Sequence, residues 1–346
     1  MKDFQYLAEI PGTPQEQAWI RERLETMSLK EGIILTAVVE EKPPSTAADA
    51  VNDCLGLSDH FIWAGAGDYN QLGAYYANNV ASLPEAVREY TDFEKLGQMF
   101  AADHPGRFSE GHYVEFHTRE QHFHYEPETE VLPTDTDWSV KIKLSSQAVP
   151  EGVWLRLPDF EEGEVGEIAL ALDKLKVQTV QECTIQDTRC VLPEIGNLME
   201  QYTDIADLIY DGNELWLFLE NQYQGFLNYM EHLSAAIEYE GCHDLRSVLD
   251  IAQNIRCYEW MPSDKLSEVV EKELRDLGVS EKIIQSGAID LPTFGADILV
   301  NRGYRLTADE SAYIARNSNE FVYKYTAPPV PEPLEETSPQ IGGMNL

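Results

Sequence analysis

The chain has 346 residues, 43% of them hydrophobic and 10% aromatic, with 61 acidic against 25 basic side chains and a formal charge of −36. Acidic disordered chains are poor in apolar and aromatic residues, so most of this one is expected to fold, with room for two or three cores. Charge of this sign and size excludes direct binding to nucleic acid or an anionic membrane, which need positive patches, and leaves a basic partner, a bound cation or high solubility.

In chain order, about residues 14–104 read as helical. Trp19, Ile20, Leu24 and Met27 recur at helical spacing behind the cap residue Thr13 and the helix-starting Pro14. Lys42-Pro43-Pro44 ends the next segment, and Ser45 or Thr46 caps a helix through Val51 and Leu55. Asp68 to Leu72 opens another, through Tyr75 and Tyr76. Residues 111–146 change period: Tyr113 to Phe116 and Trp138 to Leu144 alternate as strands do, with an acidic loop from Pro127 to Pro133 between them. A further strand is expected over Val153 to Leu157.

A module boundary is placed at about 120–135, giving modules 1–125 and 126–325. The second module returns to helices. Leu215, Trp216, Leu219, Tyr223, Phe226, Leu227, Met230, Leu233 and Ile237 fall every three or four residues, a core-facing stripe. The tail 326–346, rich in Pro and Glu, is expected to be disordered. The fold class that follows is α+β: elongated, mainly helical modules with small antiparallel sheets.

A weak internal repeat points to duplication. Ala50 to Trp63 resembles Ser247 to Trp260, and Thr91 to Gly97 parallels Ile289 to Gly295, both at a spacing close to 197 residues.

Five cysteines (Cys54, Cys183, Cys190, Cys242, Cys257) are widely spaced and form no CxxC pair, the usage of a reducing cytosol. The N-terminal sequence lacks a signal-peptide pattern, and no apolar run approaches the roughly 20 residues of a membrane span. A soluble cytoplasmic protein is expected.

No constellation specifies a reaction. His112, His117, His122 and His124 cluster without a nearby Cys, so hairpin histidines are favoured over a zinc site. Asp159 to Glu164 lacks the alternating ligand register of a calcium loop, and Gly65-Ala66-Gly67-Asp68 lacks the Lys-Ser/Thr ending of a phosphate loop. No nucleophile elbow is present. The expectation is a protein without catalysis, metal or cofactor.

The charge is distributed unevenly. Between Arg189 and Arg246 lie 56 residues with eleven acids and no Lys or Arg. Ordinary helix surfaces intersperse both signs, which relieves self-repulsion. Duplex DNA carries one negative charge per about 1.7 Å, so 36 charges correspond to roughly 60 Å, or about 18 base pairs. Such a surface would compete for the positive groove of a DNA-binding enzyme.

Gly152-Val153-Trp154-Leu155-Arg156-Leu157-Pro158 resembles the Gly-x-Trp-hydrophobic-x-x-Pro opening of the ArdA antirestriction family. Asp244-Leu245 through Cys257-Tyr258-Glu259-Trp260 is similar to that family's later Asp-Leu and Cys-Tyr-Glu stretch. Phe294-Gly295-Ala296-Asp297, followed by Gly303 and Tyr313, resembles its ending, with Ala296 where the family has Arg. The likeness covers about 150–316. A fainter partial copy over about 18–116 fits the ending through Leu96-Gly97 and Gly106 to Val114 and lacks the Trp opening.

The resemblance implies an acidic DNA mimic of mobile genetic elements. Such proteins occupy the DNA-binding groove of type I restriction-modification enzymes, often as homodimers. The expected partner-binding residues are Asp159, Glu161, Glu162, Glu164, Glu194, Glu200, Asp204, Asp207, Asp211, Glu214, Glu220, Glu231, Glu238, Glu240 and Asp244. Two rivals stay open: an adaptor or anti-CRISPR-type inhibitor with another target, and a metal-dependent enzyme.

Overall fold

The computed structural model describes residues 4–63, 65–116, 125–127, 131–135, 137–159, 166–220 and 228–327. The chain is α+β, 52% helical, with fourteen α-helices and three three-stranded antiparallel sheets among the described residues. It divides into two compact units, Met1–Leu245 and Arg246–Leu346.

The first unit opens with α1 (Pro14–Glu25), α2 (Leu29–Glu41) and α3 (Ala47–Leu55). Each begins with a reciprocal cap: Thr13 with Glu16, Ser28 with Glu31, Thr46 with Asp49. In each pair the hydroxyl accepts the third helical N–H while the carboxylate accepts the cap N–H, satisfying two donors that a helix start otherwise leaves open. These helices enclose a core that includes Leu7, Ile20, Leu35, Val51, Leu57 and Ile62.

Next come β1 (Phe61–Trp63), α4 (Tyr69–Tyr75), α5 (Glu85–Arg88), α6 (Phe93–Asp103), β2 (Gly106–Ser109) and β3 (His112–Glu115), with sheet order β1-β3-β2. The helices α4 and α6 pass in direct backbone contact. A Cβ on Gly73 would land on the Phe93 carbonyl, and one on Gly97 on the Tyr69 carbonyl. A second sheet, order β5-β4-β6, is built from β4 (Val140–Ser145), β5 (Val153–Arg156) and β6 (Thr184–Cys190), with α7 (Glu167–Leu175) between β5 and β6. The unit ends with α8 (Leu198–Gln201), α9 (Ile205–Glu220) and α10 (Tyr229–Glu240).

The expected boundary at 120–135 does not divide the molecule. The Trp19 indole donates to the Pro133 carbonyl at 2.8 Å, and the Asn52 amide pairs with both main-chain groups of Tyr125. Arg156 on β5 reaches Glu31 on α2 at 2.7 Å, and Leu170 of α7 joins the same core as Leu7. Helix α7 and the segment around Tyr125 therefore complete the core begun by α1–α3, β5 is tied to it by an ion pair, and the units part at Leu245/Arg246.

Helix α11 (Leu245–Gln253) leads into the second unit, followed by β7 (Tyr258–Pro262), α12 (Leu266–Asp276), α13 (Glu281–Ile284), α14 (Leu291–Asn301), β8 (Arg305–Leu306) and β9 (Ala312–Arg316). The sheet order is β7-β9-β8, the same threading as β1-β3-β2. Phe61 and Tyr258 begin the first strands, and Tyr69 and Leu266 the next helices, 197 positions apart in both cases. Asp92 and Asp290 start α6 and α14 with side chains that accept the third helical N–H. Gly97 and Gly295 lie where each of those helices crosses its partner. The sequence repeat is thus a repeat of one supersecondary unit. From residue 328 the tail lies outside the described residues.

Candidate functional site: the acidic helices

The stretch without basic residues folds as α8, α9, α10 and the start of α11. Asn197 accepts the Met199 N–H at 3.1 Å to start α8, and Asp204 accepts the Ala206 N–H at 2.9 Å at the start of α9. Ile205, Leu208, Ile209, Leu215 and Leu219 form the buried face of α9; Tyr229, Leu233, Ala236 and Ile237 form that of α10. Of the sequence stripe, Tyr223, Phe226 and Leu227 lie outside the described residues.

With these faces turned inward, Glu200, Asp204, Asp207, Glu220, Glu231, Glu238, Glu240 and Asp244 are exposed. Glu194 and Glu214 are half-buried, and Glu194 accepts from the Ser234 hydroxyl. Asp211 is the exception. It is buried, 3% exposed, and accepts from the Tyr202 hydroxyl at 2.7 Å. The expectation that it faces a partner is corrected: it shares the α9 face with Leu208 and Leu215, three residues before it and four after.

Asp159 is half-buried and has a local structural role. Its two carboxylate oxygens accept the N–H groups of Glu167 and Ile168, each at 2.9 Å, so it starts α7 from outside the helix. Glu161, Glu162 and Glu164 lie outside the described residues.

Basic side chains are withdrawn elsewhere. Arg23, Lys141 and Arg156 are buried with Glu31, and they also pair with the half-buried Asp135 and the exposed Asp137. Arg23 Nε lies 3.2 Å from Asp135, Lys141 Nζ 3.1 Å from the same oxygen, and Arg156 Nη1 2.7 Å from Glu31. Burial alone would raise the Glu31 carboxyl, but the Arg23 and Arg156 guanidiniums outweigh it and hold it far below the carboxylate range. Three cations cancel three anions there, leaving the whole net charge to the rest of the chain. No local pattern announces this cluster, since Glu31 and Arg156 are 125 positions apart.

His112 sits on β3 and accepts the Gly65 N–H at 3.3 Å, while His117, His122 and His124 lie outside the described residues. Among the described residues no group of three or more potential metal ligands occurs, and no helix is long and apolar enough to cross a membrane. Cys54 and Cys257 are buried, and none of the five cysteines is in a disulfide.

No protein-family model, curated protein or solved structure matches this chain.

Proposed function

We propose that this protein is a DNA mimic: an inhibitor that occupies the positive groove of a DNA-binding enzyme, without turnover or cofactor. The observation that carries the reading is the set of eight exposed carboxylates on α8–α11, in a stretch containing no Lys or Arg, held by a packed apolar face. Folded support matters because a fixed array keeps its spacing, whereas a floppy acidic tail loses entropy on docking. Affinity arises from counterions released when the groove is filled, and falls steeply with salt. The ArdA-like segments, including Val153 to Pro158, favour a type I restriction-modification complex of the host as the target.

A second reading rests on the apolar side chains among those acids. Tyr210 and Leu217, two turns apart on α9, are 56% and 43% exposed. They suit an adaptor or anti-CRISPR-type inhibitor whose contacts are partly apolar, with a different target.

One experiment separates the two. A type I restriction-modification complex is titrated with the protein at 50 to 500 mM NaCl, with and without a 30-base-pair duplex carrying its site. Mimicry predicts mutual exclusion with the duplex and a Kd that rises by orders of magnitude over this range. Simultaneous binding of protein and duplex would end the mimic reading, and salt-insensitive binding would favour the adaptor.

A further inference from the structure

We propose that a cavity in the first unit, beneath α2 and α7, is a binding site for a small organic carboxylate. The cavity measures about 400 Å³, within the range of ligand pockets, and belongs to none of the acidic helix surfaces except through Trp216 on its wall. Its apolar walls come from Ile34, Leu57, Pro158 and Trp216. Its polar wall comes from α2, β5 and the start of α7.

The two buried polar residues that β5 and α7 bring to that wall each carry an atom with no hydrogen-bond partner, Arg156 Nε and Glu167 Oε2. Both side chains belong to residues more than nine-tenths buried, Arg156 at 8% and Glu167 at 6% exposed. Protein interiors rarely leave such groups unmet, and a cavity lined by them is a site awaiting a complement.

The chemistry of the complement follows from which groups are already engaged. The Glu31 oxygens take Arg156 Nη1 at 2.7 Å, the Ser28 N–H at 2.8 Å and Arg23 Nη1 and Nη2. Asp137 pairs with Arg156 Nη2, and Asp159 takes the two N–H groups of α7. The Glu31, Asp137 and Asp159 carboxylates are therefore already engaged. Arg156 Nε–H can only donate.

Glu167 completes the donor set. Its Oε1 accepts from the Ser28 hydroxyl at 2.7 Å. Burial, then the neighbouring Glu31 charge, pushes its carboxyl up to about 8, against the opposing pull of Ser28, Lys30 and Arg156. His60, Asp137 and Asp159 are the other ionisable groups on the wall. At neutral pH the free Oε2 thus carries the proton and donates. Two donors beside the Lys30 cation fit a carboxylate head, and Trp216 with Pro158 fits a flat apolar body.

The test uses the full chain, with benzoate, benzamide and benzylamine as probes of one shape and three charges. Binding is read from the indole N–H resonance of Trp216, assigned with W216F. Benzoate is expected to shift that resonance saturably, and more tightly than benzamide. Its affinity should fall about thirtyfold between pH 6.5 and pH 9.5 as Glu167 loses its proton. E167Q retains an N–H donor, so it should bind benzoate with little pH dependence, whereas E167L should bind at least tenfold more weakly. If E167L does not fold, the E167Q pH profile carries the same decision. Saturable binding of benzylamine in preference to benzoate, an unchanged pH profile in E167Q, or no shift of Trp216 by any probe would overturn the proposal.

Discussion

Asp53 and Asp250, 197 positions apart in the repeated unit, meet opposite fates. Asp250 accepts the main-chain N–H groups of Lys324, Tyr325 and Thr326 at 2.7, 2.9 and 3.0 Å. Asp53 has Oδ2 buried with no partner, and burial, followed by the charge of Asp49, pushes its carboxyl up to about 6. Duplication copied the residue; the chain that returns to meet it differs.

That difference predicts opposite signs for one substitution. Asp250→Asn removes a charged acceptor of several N–H groups and should destabilise the second unit by about 2–3 kcal/mol. Asp53→Asn should stabilise the first by about 1–2 kcal/mol at pH 7, because its folded pKa lies above the unfolded one. The Asp53 gain is confined to pH above about 4 and is fully developed only past pH 6, as read by urea unfolding across pH.

Glu31 and Glu167, joined through Ser28, predict contrary pH dependences. The folded pKa of Glu31 is depressed, so its contribution is present above its unfolded pKa of about 4.5 and is lost on acidification. Glu167 is raised to about 8, so its contribution is full below about 4.5 and is lost as pH climbs to about 8. Glu31→Gln removes the one buried carboxylate that two buried guanidiniums share, leaving Arg23 only Asp135 and Arg156 only Asp137, and should cost about 3–5 kcal/mol at pH 7. Glu167→Gln should instead exceed wild-type stability at pH 9, by roughly 2–4 kcal/mol. Equal losses for both variants at pH 9 would contradict this assignment.

The paired glycines should differ in tolerance. A Cβ at Gly97 meets the Tyr69 backbone carbonyl, which cannot move without breaking α4. At Gly295 it meets the side chains of Leu266 and Val270, which can repack. Gly97→Ala should therefore cost about 3 kcal/mol or more and Gly295→Ala about 1–2 kcal/mol, measured by chemical denaturation.

If the acidic helices imitate DNA, their charges act in sum. Neutralising any one of Glu200, Asp207, Glu220, Glu231, Glu238 or Glu240 to its amide should weaken target binding only about twofold near physiological salt. Neutralising all six should weaken it about a hundredfold or more and flatten the salt dependence. Asp211→Asn should register as lost stability through Tyr202, with binding by the folded protein unchanged. Abolition of binding by one surface substitution would point to a focused site instead.

Much of this was legible in the residues because it is short-range physics. Thr13 caps its helix ahead of Pro14 as expected, of the two candidates Ser45 and Thr46 it is Thr46 that caps α3, and the alternating runs near 113, 140 and 153 became β3, β4 and β5. The 197-residue spacing also survived, since a repeated pattern of caps, glycines and apolar positions folds the same way twice. Ile20, Leu215, Leu233 and Ile237 are buried as their period requires.

The sequence alone therefore determined the α+β class, the duplicated unit, the net charge and the absence of basic residues from 190 to 245. Only the tertiary structure decided which acids face solvent. Asp211 and Glu200 are alike as letters, yet one lies against Tyr202 and the other in water. It also decided that Glu31 meets Arg156 across 125 positions and that the division falls at 245. The reason is range: caps and periodicity act within a turn or two, whereas the environment of a charge depends on which distant segment packs against it.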